Sequence, residues 1–265
     1  MAICDRSVWV EPTGERQTRT GTTVLRTRTT TGADAVVDGP LPWSLLAASV
    51  IVAALIEPSL LCGLAALAVL AIGGVARLRR GAPWTPADAV TATRLGLAVV
   101  CVSLLLTDGP GLSWSAVAVG SAALALDALD GYIARRTRAT EAGAAFDETV
   151  DALFVLLFSL ALIPLWGVWT VLPGLYYYVF TAITAVRTQW QQKLPYSRMR
   201  KVVAAAQGIL LIAAGSPPAQ AHPWFGFACA GAAVTALSWS FGRDIVWLER
   251  HHSAVHDAAG PGRHP

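Results

Sequence analysis

The chain has 265 residues, of which 54% are hydrophobic and only 14% charged, with a net charge of +3. A soluble domain carries about 25% charged residues, so this composition excludes an ordinary soluble enzyme and requires several membrane spans. The small net charge leaves no footprint for nucleic acid, and Cys4, Cys62, Cys101 and Cys229 form no CxxC pair, which removes a disulfide or zinc framework.

Residues 1–40 are polar and rich in Thr, Arg and Gly, as in Arg16–Thr31. Such a stretch cannot bury a core and reads as a disordered tail. A basic arm on anionic lipid is the functional alternative. No cleavable signal is visible ahead of the first apolar run.

From Trp43 onward, apolar runs alternate with short polar breaks. Spans are expected at 43–56, 59–76, 91–107, 114–134, 144–163, 168–186, 201–214 and 224–246. A crossing helix needs about 20 residues. The first run is short, and Glu57 and Pro58 follow it, so an interfacial or re-entrant helix competes there. The charge pattern favours a span. With a cytoplasmic N-terminus and eight crossings, the outer loops are 57–58, 108–113, 164–167 and 215–223, and they hold no Lys or Arg. Every cation, Arg94, Lys201 and Arg243 included, falls in or near a cytoplasmic segment, as the positive-inside rule requires. Both termini then lie on the cytoplasmic side. Trp43, Trp114, Trp166, Trp169, Trp224 and Trp247 sit near expected interfaces, as in an aromatic belt.

The expected fold is all-α, a polytopic transmembrane helix bundle. Its expected parts are a polar tail (1–40), a hydrophobic hairpin (41–80), a transmembrane core (81–248) and a polar C-terminal tail (249–265).

A charge deep in a membrane helix is costly and by default marks function. Asp127 and Asp130 lie three apart near the end of one span; Asp147 and Asp151 lie four apart near the start of the next. Each spacing puts its pair on one helix face. The hairpin Arg135–Ala142 makes the two helices antiparallel neighbours, so both pairs are expected at one depth near the cytoplasmic surface. Four carboxylates there repel unless cations sit between them. Oxygen ligands without nearby His or Cys suit Mg²⁺ or Mn²⁺. Gly131 and Gly143 let a bulky ligand approach the backbone. Ala134 keeps the next turn open, and the fork of Arg135 can hold a phosphate at the mouth.

The run Asp127-Ala-Leu-Asp130-Gly131-Tyr-Ile-Ala134-Arg135, followed by Gly143-Ala-Ala-Phe-Asp147-Glu-Thr-Val-Asp151, resembles the signature of the CDP-alcohol phosphotransferase (CDP-alcohol phosphatidyltransferase) family. Every fixed residue type of that signature is present, with one residue fewer between Arg135 and Gly143. The resemblance covers roughly residues 82–246. It includes the lead-in segment Pro86–Arg94, where Asp88 stands in place of a frequent Asn.

The resemblance implies a six-helix core preceded by two extra N-terminal hydrophobic helices. It implies that Asp127, Asp130, Asp147 and Asp151 hold two divalent metals, with Asp151 also the general base. Gly131, Ala134 and Arg135 would receive the CDP part of the donor, with Gly143, Thr91 and Arg94 alongside. The implied donor is a CDP-linked lipid, CDP-diacylglycerol above all, with an acceptor alcohol as co-substrate. A homodimer is an expectation of the same kind.

Arg198 and Lys201, three apart on one helix face, are the candidates for a phosphorylated acceptor, set against plain positive-inside topology. A transporter built on intramembrane carboxylates would account for the aspartates, though not for the Asp-Gly-x-x-Ala-Arg context. A catalytically silent family member is the third reading.

Overall fold

The computed structural model describes residues 41–78, 84–134, 140–187 and 198–258. The expected 1–40 tail, Arg135 and most of its hairpin, and the last residues of the chain lie outside them. For Asp130, Gly131, Ala134, Arg198 and Lys201 the helical backbone is described and the side chain is not.

Among the described residues there are helices and no strands, in an all-α membrane bundle. All eight expected runs form helices. They are α1 (Leu41–Ile56), α2 (Leu60–Leu78), α3 (Pro86–Thr107), α4 (Trp114–Ala134), α5 (Glu141–Ala161), α7 (Leu172–Val186), α8 (Arg198–Gly215) and α10 (Pro223–Ala258). Two short helices, α6 (Ile163–Trp166) and α9 (Pro217–Ala221), fill loops, and one 3₁₀ turn covers Val168–Val171. Among the described residues, five segments are long and apolar enough to cross a membrane, namely Leu60–Leu78, Pro86–Thr107, Ala142–Trp166, Val168–Val186 and Pro223–Trp247. The apolar parts of α1, α4 and α8 are shorter.

Helix α3 begins one turn and more before the expected 91, and its first turn shows why. Thr85 and Asp88 form a reciprocal capping box, with Pro86 at the first helical positions. These groups satisfy backbone donors that would otherwise be orphaned. The segment read as a lead-in is therefore helix, with Asp88, Thr91 and Arg94 on one buried stripe.

Helix α3 is also the centre of the N-terminal half. Ala92, Leu95, Ala98, Val99 and Cys101 are each at most 1% exposed. Its Gly96 admits Ser49 of α1, and Leu95 fits against Gly73 of α2. Small residues permit such close approach where apolarity alone gives no drive to associate. On its other sides α3 packs against α4 and α5.

The opposite end of the bundle is tied by its loops. Leu112 N–H donates to the Gly215 carbonyl at 2.9 Å. Gln220 Nε2 donates to the Leu112 and Gly215 carbonyls at 3.0 and 2.8 Å. Trp166 Nε1 donates to the Ala214 carbonyl at 2.9 Å. The loops expected to be free of cations thus gather at one end, away from the aspartates.

Candidate active site

Asp127 stands near the end of α4, with Asp147 and Asp151 one turn apart near the start of α5. One carboxylate oxygen from each lies within 4.8 Å of the others, close enough to share a metal ion. Three of the four expected acidic residues therefore converge. Asp130 lies one turn beyond Asp127 on the same helix, with its side chain outside the description.

The convergence does not follow from simple α4–α5 packing, as the hairpin had suggested. Helix α3 is the closer backbone neighbour of both. Helices α4 and α5 meet farther from the site, where the Phe158 ring lies against Gly120. Between the acidic ends stands Arg94 of α3. Its Nη1 lies 3.0 Å from Asp127 Oδ1 and donates to Asp147 Oδ1 at 2.7 Å; its Nη2 donates to Asp151 Oδ1. Two acidic helix faces repel, and a central guanidinium gives both a shared partner.

Exposure sets the orientation of the site. The Arg94 side chain is 2% exposed, whereas Asp127, Asp147 and Asp151 are 40%, 39% and 37% exposed. Arg94 is the floor, and the carboxylates open on the other side. Among the described residues, Oδ2 of Asp127 and of Asp151 accepts no hydrogen bond. One guanidinium against three carboxylates leaves a formal excess of two negative charges, the complement of one divalent cation. Hard oxygen donors with an open face fit Mg²⁺ or Mn²⁺.

Gly143 and Thr91 were expected near a bound CDP. The space beside Gly143 is filled from within: a Cβ there would meet Asp88 Oδ1 at 2.5 Å and Thr140 Oγ1 at 3.1 Å. Thr140 caps α5 by accepting from the Gly143 N–H at 3.0 Å. Thr91 is buried, and its hydroxyl donates to the Ala87 carbonyl at 3.2 Å.

Arg77 and Gln207 are among the buried polar residues that were not singled out from sequence. Arg77, in the last turn of α2, looked like one more cytoplasmic-end cation. It is 4% exposed and pairs with Asp88. Gln207 sits one turn before Leu211 on the buried face of α8, 2% exposed, with neither amide atom hydrogen-bonded among the described residues. A lone polar residue within the apolar run Val202–Gly215 was the available signal for Gln207.

The sequence model described as CDP-alcohol phosphatidyltransferase matches residues 84–241. The chain belongs to the CDP-alcohol phosphatidyltransferase family. The match runs from the residue before the α3 cap into α10, and so contains Arg94 and all the site aspartates. No curated protein and no solved structure matches the chain. Membership makes the chain a member of a transferase family in the membrane, acting on a CDP-alcohol.

Proposed function

We propose that this phosphatidyltransferase moves a phosphatidyl group from CDP-diacylglycerol to an acceptor alcohol, releasing CMP, in phospholipid synthesis. The observation that carries the reading is the open-faced carboxylate triad on a buried arginine floor. Asp127, Asp147 and Asp151, with Asp130 beside them, would hold two divalent cations, Mg²⁺ or Mn²⁺. Bound there, such cations would neutralise charge on the donor diphosphate and on departing CMP.

The chain's own residues would do the rest. Asp151 takes the proton from the acceptor hydroxyl. The freed oxygen bonds to the β-phosphorus, and the bond from that phosphorus to the CMP oxygen breaks. Arg94 fixes one oxygen of Asp151 and leaves the other for the proton. Gly131, Ala134 and Arg135 would border the cytidine diphosphate, with Arg198 and Lys201 near a phosphorylated acceptor. An entrance at the basic, cytoplasmic end lets cytidine arrive from water while the acyl chains stay in lipid. The chain would work as a homodimer.

The test supplies purified protein with CDP-diacylglycerol, Mg²⁺ or Mn²⁺, and a panel of alcohols, with lipid products identified by mass. A new phosphodiester lipid formed together with CMP is expected. Asp151→Asn should lower turnover by about 10²- to 10⁴-fold, as loss of a general base does, with donor binding retained. Wild-type turnover in that variant would remove the base assignment. Metal-independent activity, or none with any alcohol, would remove the reading itself.

A further inference from the structure

The α1–α2 hairpin precedes the family match, which starts at residue 84. Even so, the end of α2 reaches the foundation of the site. Arg77 Nη2 lies 3.4 Å from Asp88 Oδ2, and its guanidinium stands 4.5 Å over the Trp84 ring. Asp88 is 1% exposed. Its Oδ2 also accepts from the Thr85 N–H at 2.8 Å, at the start of α3. Its Oδ1 stands 2.5 Å from the place a Gly143 Cβ would take. One carboxylate therefore joins the end of α2, the start of α3 and the first turn of α5.

Helices α3 and α5 run parallel from that point. Asp88 meets Gly143, and farther along Arg94 meets Asp147 and Asp151. The first contact sets the height of the second. A slip of one residue would move Arg94 by about 1.5 Å along α5 and turn it by about a quarter of a circle. Contacts of 2.7–3.0 Å to two aspartates do not survive that shift. A buried carboxylate without a counter-charge is strongly unfavourable, and Arg77 supplies the charge.

We propose that Arg77 is a positioning residue for the catalytic centre: through Asp88 it locks the register of α3 on α5, and so holds Arg94 beneath the three carboxylates. The extra hairpin is then a working part of the enzyme. The proposal rests on the reading of the aspartate triad as a metal centre.

The test uses the full chain in phospholipid nanodiscs, as wild type, Arg77→Gln, and Arg77→Gln with Asp88→Asn. Mn²⁺ affinity is read by electron paramagnetic resonance without nucleotide, and CMP release from CDP-diacylglycerol is measured separately. The sign is diagnostic. Removing a cation alone tightens Mn²⁺ binding, whereas losing the register spreads the carboxylates and weakens it. Arg77→Gln should bind Mn²⁺ about tenfold more weakly and lose kcat by at least that factor, the scale of a lost supporting contact. The double variant should recover most of both, because Asn still accepts from Thr85 and needs no counter-charge. Unchanged or tighter Mn²⁺ binding in Arg77→Gln, or no recovery in the double variant, overturns the proposal. A wild type that binds Mn²⁺ but releases no CMP counts against the transfer reading alone. One that binds no Mn²⁺ removes both.

Discussion

Arg94 carries more of the site than any other described side chain. It is nearly inaccessible, yet it touches three carboxylates on two helices. Breaking a buried ionic arrangement by removing one partner typically costs about 3–5 kcal/mol. The carboxylates are about two-fifths exposed, so water offsets part of this, and Arg94→Met should fall at the low end of that range. A divalent cation can replace the missing charge, which gives the prediction its signature. In a thermal melt, Mg²⁺ should raise the Tm of Arg94→Met by more than that of the wild type. Equal increments would mean that Arg94 does not share its carboxylates with the metal. From sequence alone, Arg94 was expected as a CDP contact through family resemblance and as a cytoplasmic-end cation through topology. Neither route reveals a floor, because spacing along one helix does not say which other helices turn toward it.

At the scale of elements, the sequence located the helices well and their neighbours less well. Apolar length and breakers such as Glu57-Pro58 mark where helices run. The early start of α3 was encoded in Thr85, Pro86 and Asp88, a capping signature that a hydropathy reading passes over. Helix α10 runs on to Ala258, well beyond the expected 246, and nothing between Gly242 and the Gly260-Pro261 pair stops it. At 36 residues it is about 54 Å long, more than the hydrocarbon thickness. The partnership of α3 with both acidic helices was not legible, since an acidic face can be matched by any neighbour that brings a cation. Gly143 tests that partnership. A methyl there would press on Asp88 Oδ1, and the same carboxylate is already held through Oδ2 by the α3 cap and by Arg77. Overpacking of this kind costs about 1–3 kcal/mol. Gly143→Ala should therefore lower the Tm without donor present. If Gly143 served only to admit CDP, its Ala variant would instead raise the donor KM and leave the donor-free Tm unchanged.

At the scale of the whole molecule, the two ends of the bundle differ in chemistry. One end holds the loops around Leu112, Trp166 and Gln220, joined by backbone and side-chain hydrogen bonds and without a Lys or Arg. The other holds the aspartates, Arg77, Arg94 and the basic start of α8. Cytoplasmic loops retain cations during insertion, so the aspartate end should face the cytoplasm. Two single-cysteine reporters decide it, each in a chain whose four native cysteines are replaced by alanine. Pro110→Cys lies in the exposed loop between α3 and α4, and Met199→Cys is 59% exposed in the first turn of α8. In intact cells a membrane-impermeant maleimide should label the first and not the second. Permeabilising the membrane should make the second reactive. The reverse pattern would put the cation-rich end outside, and cytidine would then have to reach the aspartates from the wrong side of the membrane.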